Sequence, residues 1–180
     1  MEYKHFSHNH NLVFHQVQQG QNIRCSGCEL DCSSGFVYAC FQCSFYLHEH
    51  CGNANRHIMH PADVTHPLIL FPSPTYESGS FLCDACGKPG SAFSYCCAVC
   101  QVDLHVQCAF MPLKITHRCH RHELKLSTGN PDRDGREICN ICTTSLDSKH
   151  WSYYCAECDF GVHTFCGTNE VKPVLFVDAS

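Results

Sequence analysis

The residues able to do chemistry in this chain are its cysteines and histidines. Six Cys-x2-Cys pairs occur: Cys25/Cys28, Cys40/Cys43, Cys83/Cys86, Cys97/Cys100, Cys139/Cys142 and Cys155/Cys158. Two thiolates on one tight turn chelate a single ion, and structural zinc takes four such Cys or His donors in a tetrahedron with no open position. Every second pair is followed by a His and then a Cys three residues on: His48 and Cys51, His105 and Cys108, His163 and Cys166. A His and a Cys at that separation share one face of a short helix. They can complete a tetrahedron begun by a Cys pair elsewhere.

The spacing is a repeat. The pairs beginning at Cys40, Cys97 and Cys155 lie 57 and 58 residues apart, each two residues after a tyrosine (Tyr38, Tyr95, Tyr153). A His-x-Leu stands upstream each time, led by His10, His66 and His122, and two copies close with a His, His60 and His117. Self-similarity at such a period defines tandem small modules, read here as residues 5–62, 63–118 and 119–180. A full copy carries eight donors, and their order alone does not divide them between two ions. An interleaved division is favoured, because sequential pairing leaves the first His far from a finished site. One ion of the first copy then takes Cys25, Cys28, His48 and Cys51, and the other His10, Cys40, Cys43 and His60. The second copy uses Cys83, Cys86, His105 and Cys108, then His66, Cys97, Cys100 and His117. The third offers Cys139, Cys142, His163 and Cys166. Its other set, His122, Cys155 and Cys158, runs out, with Leu175 where the closing His is due. The expectation is five complete zinc sites and a sixth short of one ligand. His5 matches the register of a closing His and could supply it from the same or a neighbouring chain. Alternatively the position stays open or is filled by Cys119.

The elements around these donors are short. The segment Leu68–Ser80, with Pro72 and Pro74 inside it and Pro67 before it, is expected to be extended, and Ser127–Gly135 to be an exposed loop. Leu47, Leu104, Phe45, Phe160 and the three repeat tyrosines make a thin core. A module of this size gains about 3–5 kcal/mol from such a core, whereas structural zinc contributes an apparent ~10–16 kcal/mol in finger peptides. Metal is therefore expected to be essential to folding. Gly27 and Gly87 lie at the Cys-x2-Cys turns, where backbone freedom is useful. Cys32, Cys96 and Cys119 fall outside the register and read as small buried hydrophobes.

Eighteen Cys and 15 His accompany only 16% charged residues, a composition that means either a disulfide scaffold or a metal framework. The first residues, Met1 to His8, do not pair a basic stretch with an apolar run as a secretion signal would. Reduced, metal-bound thiols in the cytoplasm, the nucleus or both are expected. The formal charge of −5 argues against binding nucleic acid, which calls for a basic face. Arg118, Arg121, Arg133 and Arg136 are interrupted by Glu123, Asp132 and Asp134 and read as a solvated loop.

The pattern Tyr-x-Cys-x2-Cys-x4-His-x2-Cys, followed in the first copy by Ile58-Met59-His60-Pro61, resembles the divergent plant branch of the C1 domains, relatives of the diacylglycerol-binding module of protein kinase C. The resemblance covers nearly the whole chain. It implies small zinc-stabilised α+β modules, each a short β-sheet with a C-terminal helix and two zinc ions, in a noncatalytic metal-binding protein of signalling pathways. The kinase module carries Gln-Gly shortly before its third zinc cysteine. Here Phe36-Val37, Phe93-Ser94 and Trp151-Ser152 stand there, so a protein partner is expected, with a lipid or membrane surface second and diacylglycerol disfavoured. Three rivals follow from the residues. A PHD or RING cross-brace, for chromatin reading or ubiquitin transfer, fits the central motif but needs a final Cys-x2-Cys and leaves the leading His unused. A zinc-linked redox sensor fits the thiol content. An enzyme needs an open metal position, and His48-Glu49-His50 lacks the four-residue His spacing of a zinc hydrolase.

Overall fold

The computed structural model describes residues 2–128, 138–147 and 149–168. The expected loop over Ser127–Gly135 falls, from residue 129 onward, outside the described residues, as does Leu175.

The same unit is built three times. The first contains β1 (Glu2–Tyr3), β2 (Leu12–Gln16), β3 (Phe36–Cys40), β4 (Phe45–His48) and α1 (Glu49–Gly52). The second contains β5 (His57–His60), β6 (Asp63–Phe71), β7 (Phe81–Leu82), β8 (Pro89–Gly90), β9 (Ser94–Cys97), β10 (Val102–His105) and α2 (Val106–Ala109). The third contains β11 (Lys114–His117), β12 (His120–Ser127), β13 (Ser152–Cys155), β14 (Phe160–His163) and α3 (Thr164–Thr168). Each unit is a four-stranded antiparallel sheet whose strands neighbour one another in chain order, with β7 and β8 forming a separate ribbon in the second. The helix after each sheet is a single short turn.

Strand pairing moves the unit boundaries. His57–His60, placed by spacing at the end of the first module, forms β5 and pairs with β6, Ile58 facing Leu68. Lys114–His117 likewise pairs with β12, Ile115 facing Leu124. The cause is burial: Ile58, Leu68 and Leu124 are completely buried and Ile115 nearly so, and apolar area leaves water only in this register. In the first unit Tyr3 faces Leu12 in the same way. Behind this pair, each repeat tyrosine faces an aliphatic residue across the next ladder: Tyr38 with Leu47, Tyr95 with Leu104 and Tyr153 with Val162.

Adjacent units are joined by an aromatic residue. Phe93 N–H donates to Gly27 O at 3.1 Å, and Trp151 N–H donates to Ala85 O at 2.8 Å. Phe93 and Trp151 are 2% and 5% exposed, and both join one apolar cluster with residues of the first two units. Tyr95 and Tyr153 pin the connecting segments by donating to the carbonyls of Asn55 and Pro112. Trp151 is the buried third-unit residue of that cluster, with Leu126 and Phe165 packed against it. Trp151→Ala should cost about 3–5 kcal/mol and let the third unit melt separately. Differential scanning calorimetry is expected to show one transition becoming two.

Candidate metal centres

All six Cys-x2-Cys turns share a backbone device. The residue after the second cysteine has positive φ in every case: Glu29 (64°), Ser44 (51°), Gly87 (76°), Gln101 (56°), Thr143 (65°) and Asp159 (50°). That left-handed residue folds the chain back so that both sulfurs face the same point. In three turns it also donates its N–H to the carbonyl of the first cysteine, as Glu29 does to Cys25 O at 2.9 Å.

The first kind of centre brings together Cys25, Cys28, His48 and Cys51, with equivalents Cys83, Cys86, His105 and Cys108, and Cys139, Cys142, His163 and Cys166; in each set the donor atoms lie within 4.8 Å of one another. Imidazole Nδ1 stands 3.3 Å (His48), 3.4 Å (His105) and 3.3 Å (His163) from the second cysteine of its pair. Donors on a zinc tetrahedron stand roughly 3.6 Å apart, given Zn–S near 2.3 Å and Zn–N near 2.1 Å. The opposite ring nitrogen, Nε2, faces a main-chain carbonyl each time: Asp31 at 3.2 Å, Pro89 at 3.1 Å and Ser145 at 3.0 Å. A proton held there leaves the Nδ1 lone pair pointing at the cluster, which is the outer support a metal-bound histidine uses. Backbone N–H groups of Gly27, Cys28 and His48 converge on Cys25 Sγ.

Charge explains why this grouping calls for a cation. Hydrogen bonds from the Cys28, Cys32 and Cys51 thiols pull the Cys25 thiol far below its ordinary range. Its partner Cys51 is driven well up, first by hydrogen bonding to Cys25 and Cys28 and then by burial. Left to themselves, the thiols permit one thiolate at the expense of the others. Three thiolates can share the space only around a positive ion.

The second kind of centre unites His8, His10, Cys40 and Cys43 in the first unit and His120, His122, Cys155 and Cys158 in the third. His10 Nδ1 lies 3.1 Å from Cys43 Sγ, and His122 Nδ1 lies 3.2 Å from Cys158 Sγ. In the second unit His66 Nδ1 stands 3.2 Å from Cys100 Sγ and 3.9 Å from Asp63 Oδ1. The neighbouring Cys100 thiol is the largest influence holding the Asp63 carboxyl far below its usual range, with the His66 N–H and Cys97 also contributing. Three atoms at one repeat position identify the fourth donor. His8 Nε2, Asp63 Oδ2 and His120 Nε2 are all buried with no hydrogen-bond partner. An orphaned buried acceptor is costly, and a metal at the cluster would satisfy all three. The imidazoles are held by ring stacking, His8 on Phe45 at 4.4 Å and His120 on Phe160 at 4.3 Å. In the second unit Val102 stands at the position of those phenylalanines.

These positions correct the expected ligand sets. His60 and His117 do not join the clusters of the units that precede them. His60 lies in β5, where Nδ1 accepts the Ala62 N–H at 3.1 Å and Nε2 faces Ala109 O at 3.1 Å. His117 accepts the Cys119 N–H at 3.1 Å. In the third unit His120 brings the cluster to four donors, and His5 and Cys119 of the same chain lie outside it. His5 sits in the turn after β1, bonded to Ser7 Oγ at 2.6 Å and stacked on Phe93. The donors missed were His8, Asp63 and His120. The dyads His8-x-His10 and His120-x-His122 were a visible signal, obscured because the second unit has Asp63 and one extra residue before His66. The other expected donors fall in the clusters assigned to them. Of the three cysteines outside the register, Cys32 is buried, Cys96 is partly covered and Cys119 is exposed. Burial, then the nearby Asp103, pushes the Cys96 thiol up to about 11.

Donor clusters on each sheet, one of them closed by the helical turn, define a tandem array of small modules fit to hold metal. The chain belongs to the C1 domain family, whose model matches residues 6–52, 63–109 and 118–167. No curated protein and no solved structure matches the chain.

Two substitutions separate the observed donor sets from the spacing-based ones. His120→Ala should lower zinc by about one ion per chain under mild chelator competition, while His60→Ala should leave the zinc count unchanged. Elemental analysis beside protein quantitation reads both.

Proposed function

We propose that this is a noncatalytic, zinc-stapled interaction protein carrying six structural zinc ions, two per module, whose surface engages a protein partner. One observation carries the reading: five donor clusters each supply four Cys or His ligands around one point, and His66, Asp63 and Cys100 gather at the equivalent place in the second unit. A closed tetrahedron leaves no coordination position for substrate or activated water, which separates structural from catalytic zinc. C1 domains as a family bind diacylglycerol, phorbol esters or proteins. The absence of Gln-Gly before Cys40, Cys97 and Cys155 favours the last. Exposed aromatic residues concentrate on the first module, where Tyr3, Phe6, Phe14, Phe36 and Phe41 are at least a third exposed. An apolar concentration of that kind marks an interaction surface. The leading histidines His10, His66 and His122 stand beside Cys pairs, which favours this reading over a PHD or RING cross-brace. A role inside the cell, in signalling, fits the thiol content.

Native mass spectrometry should find six zinc ions per chain, and their removal by a strong chelator should abolish near-UV circular dichroism and NMR dispersion. A chain that keeps its dispersion after complete zinc removal would refute the structural role. Sedimentation with phosphatidylcholine–phosphatidylserine vesicles should be the same with and without diacylglycerol. A rise on adding diacylglycerol would move the reading to lipid recognition.

A further inference from the structure

The two internal junctions are the same contact made twice. At the first, Phe93 N–H meets Gly27 O at 3.1 Å and the Phe93 ring stacks on His5, centroids 5.9 Å apart and planes 8° apart. At the second, Trp151 N–H meets Ala85 O at 2.8 Å and its ring stacks on His60 at 5.5 Å and 16°. Phe93 and Trp151 hold one repeat position, Gly27 and Ala85 a second, His5 and His60 a third. Each module therefore has a head, the aromatic residue that opens its third strand, and a tail, a Cys-x2-Cys knuckle flanked by a histidine. Both docked histidines are 2% exposed.

The two ends of the array differ. At the head of the first module Phe36 occupies the position of Phe93 and Trp151, yet it is 43% exposed. It stacks on Phe14, itself exposed, at 4.7 Å and 4°. Ser34 stands where Ser91 bonds Glu29 of the preceding knuckle at 2.8 Å. At the tail of the third module, His117 accepts the N–H two residues on, just as His5 and His60 do. The knuckle residue there is Ile141 rather than Gly or Ala. A Cβ added at Gly27 would come within 3.0 Å of the Phe93 ring and 3.3 Å of Leu47, so this position points into the space the docking aromatic fills. Ile141 puts a branched four-carbon side chain at this position, packed against its own module's core.

We propose that Phe36, backed by Phe14, is an open docking head for a further C1-type module, one with Gly or Ala between its knuckle cysteines and a histidine in its first turn. Ile141 closes the tail of the third module, so that tail takes no docking head. This rests on the protein-partner reading and names the partner's chemistry. A second wild-type copy does not fit, because its two small knuckles are already filled and its third carries Ile141.

The chain itself supplies the probe. A Phe36→Asp/Ile141→Ala double variant has an opened tail and no head. Mixed with zinc-loaded wild type at up to about 1 mM, the order of the effective concentration a short linker provides, it should form a complex of one chain each by sedimentation velocity. The single variant Phe36→Asp, with its tail still closed, should form at least tenfold less. No complex with the double variant, or equal complex with both, overturns the proposal. Zinc content is measured on every sample, so a loss of zinc reports against the structural-zinc reading instead. Should Ile141→Ala fail to fold, the size rule is read at the internal junction by hydrogen exchange at the Phe93 amide. Gly27→Ile should speed that exchange at least tenfold and Gly27→Ala, the residue of the second knuckle, should not. Equal protection in both overturns it.

Discussion

Everything in this structure depends on holding three or four electron-rich donors within a few ångströms of one another. Thiolates at that separation repel, and the burial that brings them together makes the repulsion stronger. The protein therefore places donors on elements that have no other way to relax: a left-handed turn residue behind each cysteine pair, and a histidine at the junction of the last strand and a one-turn helix. A cation bound there would turn the least favourable place in the fold into the strongest link, and so would let so small a sheet persist.

Interleaving is the second consequence. One centre ties the knuckle before β3 to the helix, and the other ties the entry of β2 to the turn between β3 and β4. Neither centre is confined to one hairpin, so both must form for the sheet to keep its register. The apolar pairs repeated in each unit, Ile58 with Leu68 and Tyr95 with Leu104 for example, set which strands are neighbours. Metal at the two kinds of centre would set how firmly they stay so.

Much of this was legible in the residues. The repeat, the donor clusters closed by His48, His105 and His163, and the place of Cys pairs in both kinds of centre all follow from invariant spacing. What was not legible had one cause. His60 and His117 follow the last cysteine at a constant distance, and constancy looks like membership. Chain distance cannot tell whether a strand completes the sheet behind it or opens the one ahead, and burial of Ile58 and Ile115 decides for the latter. The shift replaces one expected donor in each of the first two units and brings a fourth to the third cluster. His5 and His60 proved to be junction residues, buried so that the imidazole is held neutral, each down to about 4 mainly through burial.

The order of donors along the chain also bears on how the protein is made. In the first unit the last donor of the β2–turn centre is Cys43 and the last donor of the helix centre is Cys51, and the first strand of the next unit starts at His57. A unit emerging from the ribosome thus has its full ligand complement before any residue of the next sheet exists. Mispairing between equivalent cysteines of different units is the natural hazard of a repeat whose ligand spacing recurs. Vectorial synthesis removes it, because each set of thiols can be claimed by metal in turn, and the aromatic that docks on a finished unit arrives only afterwards.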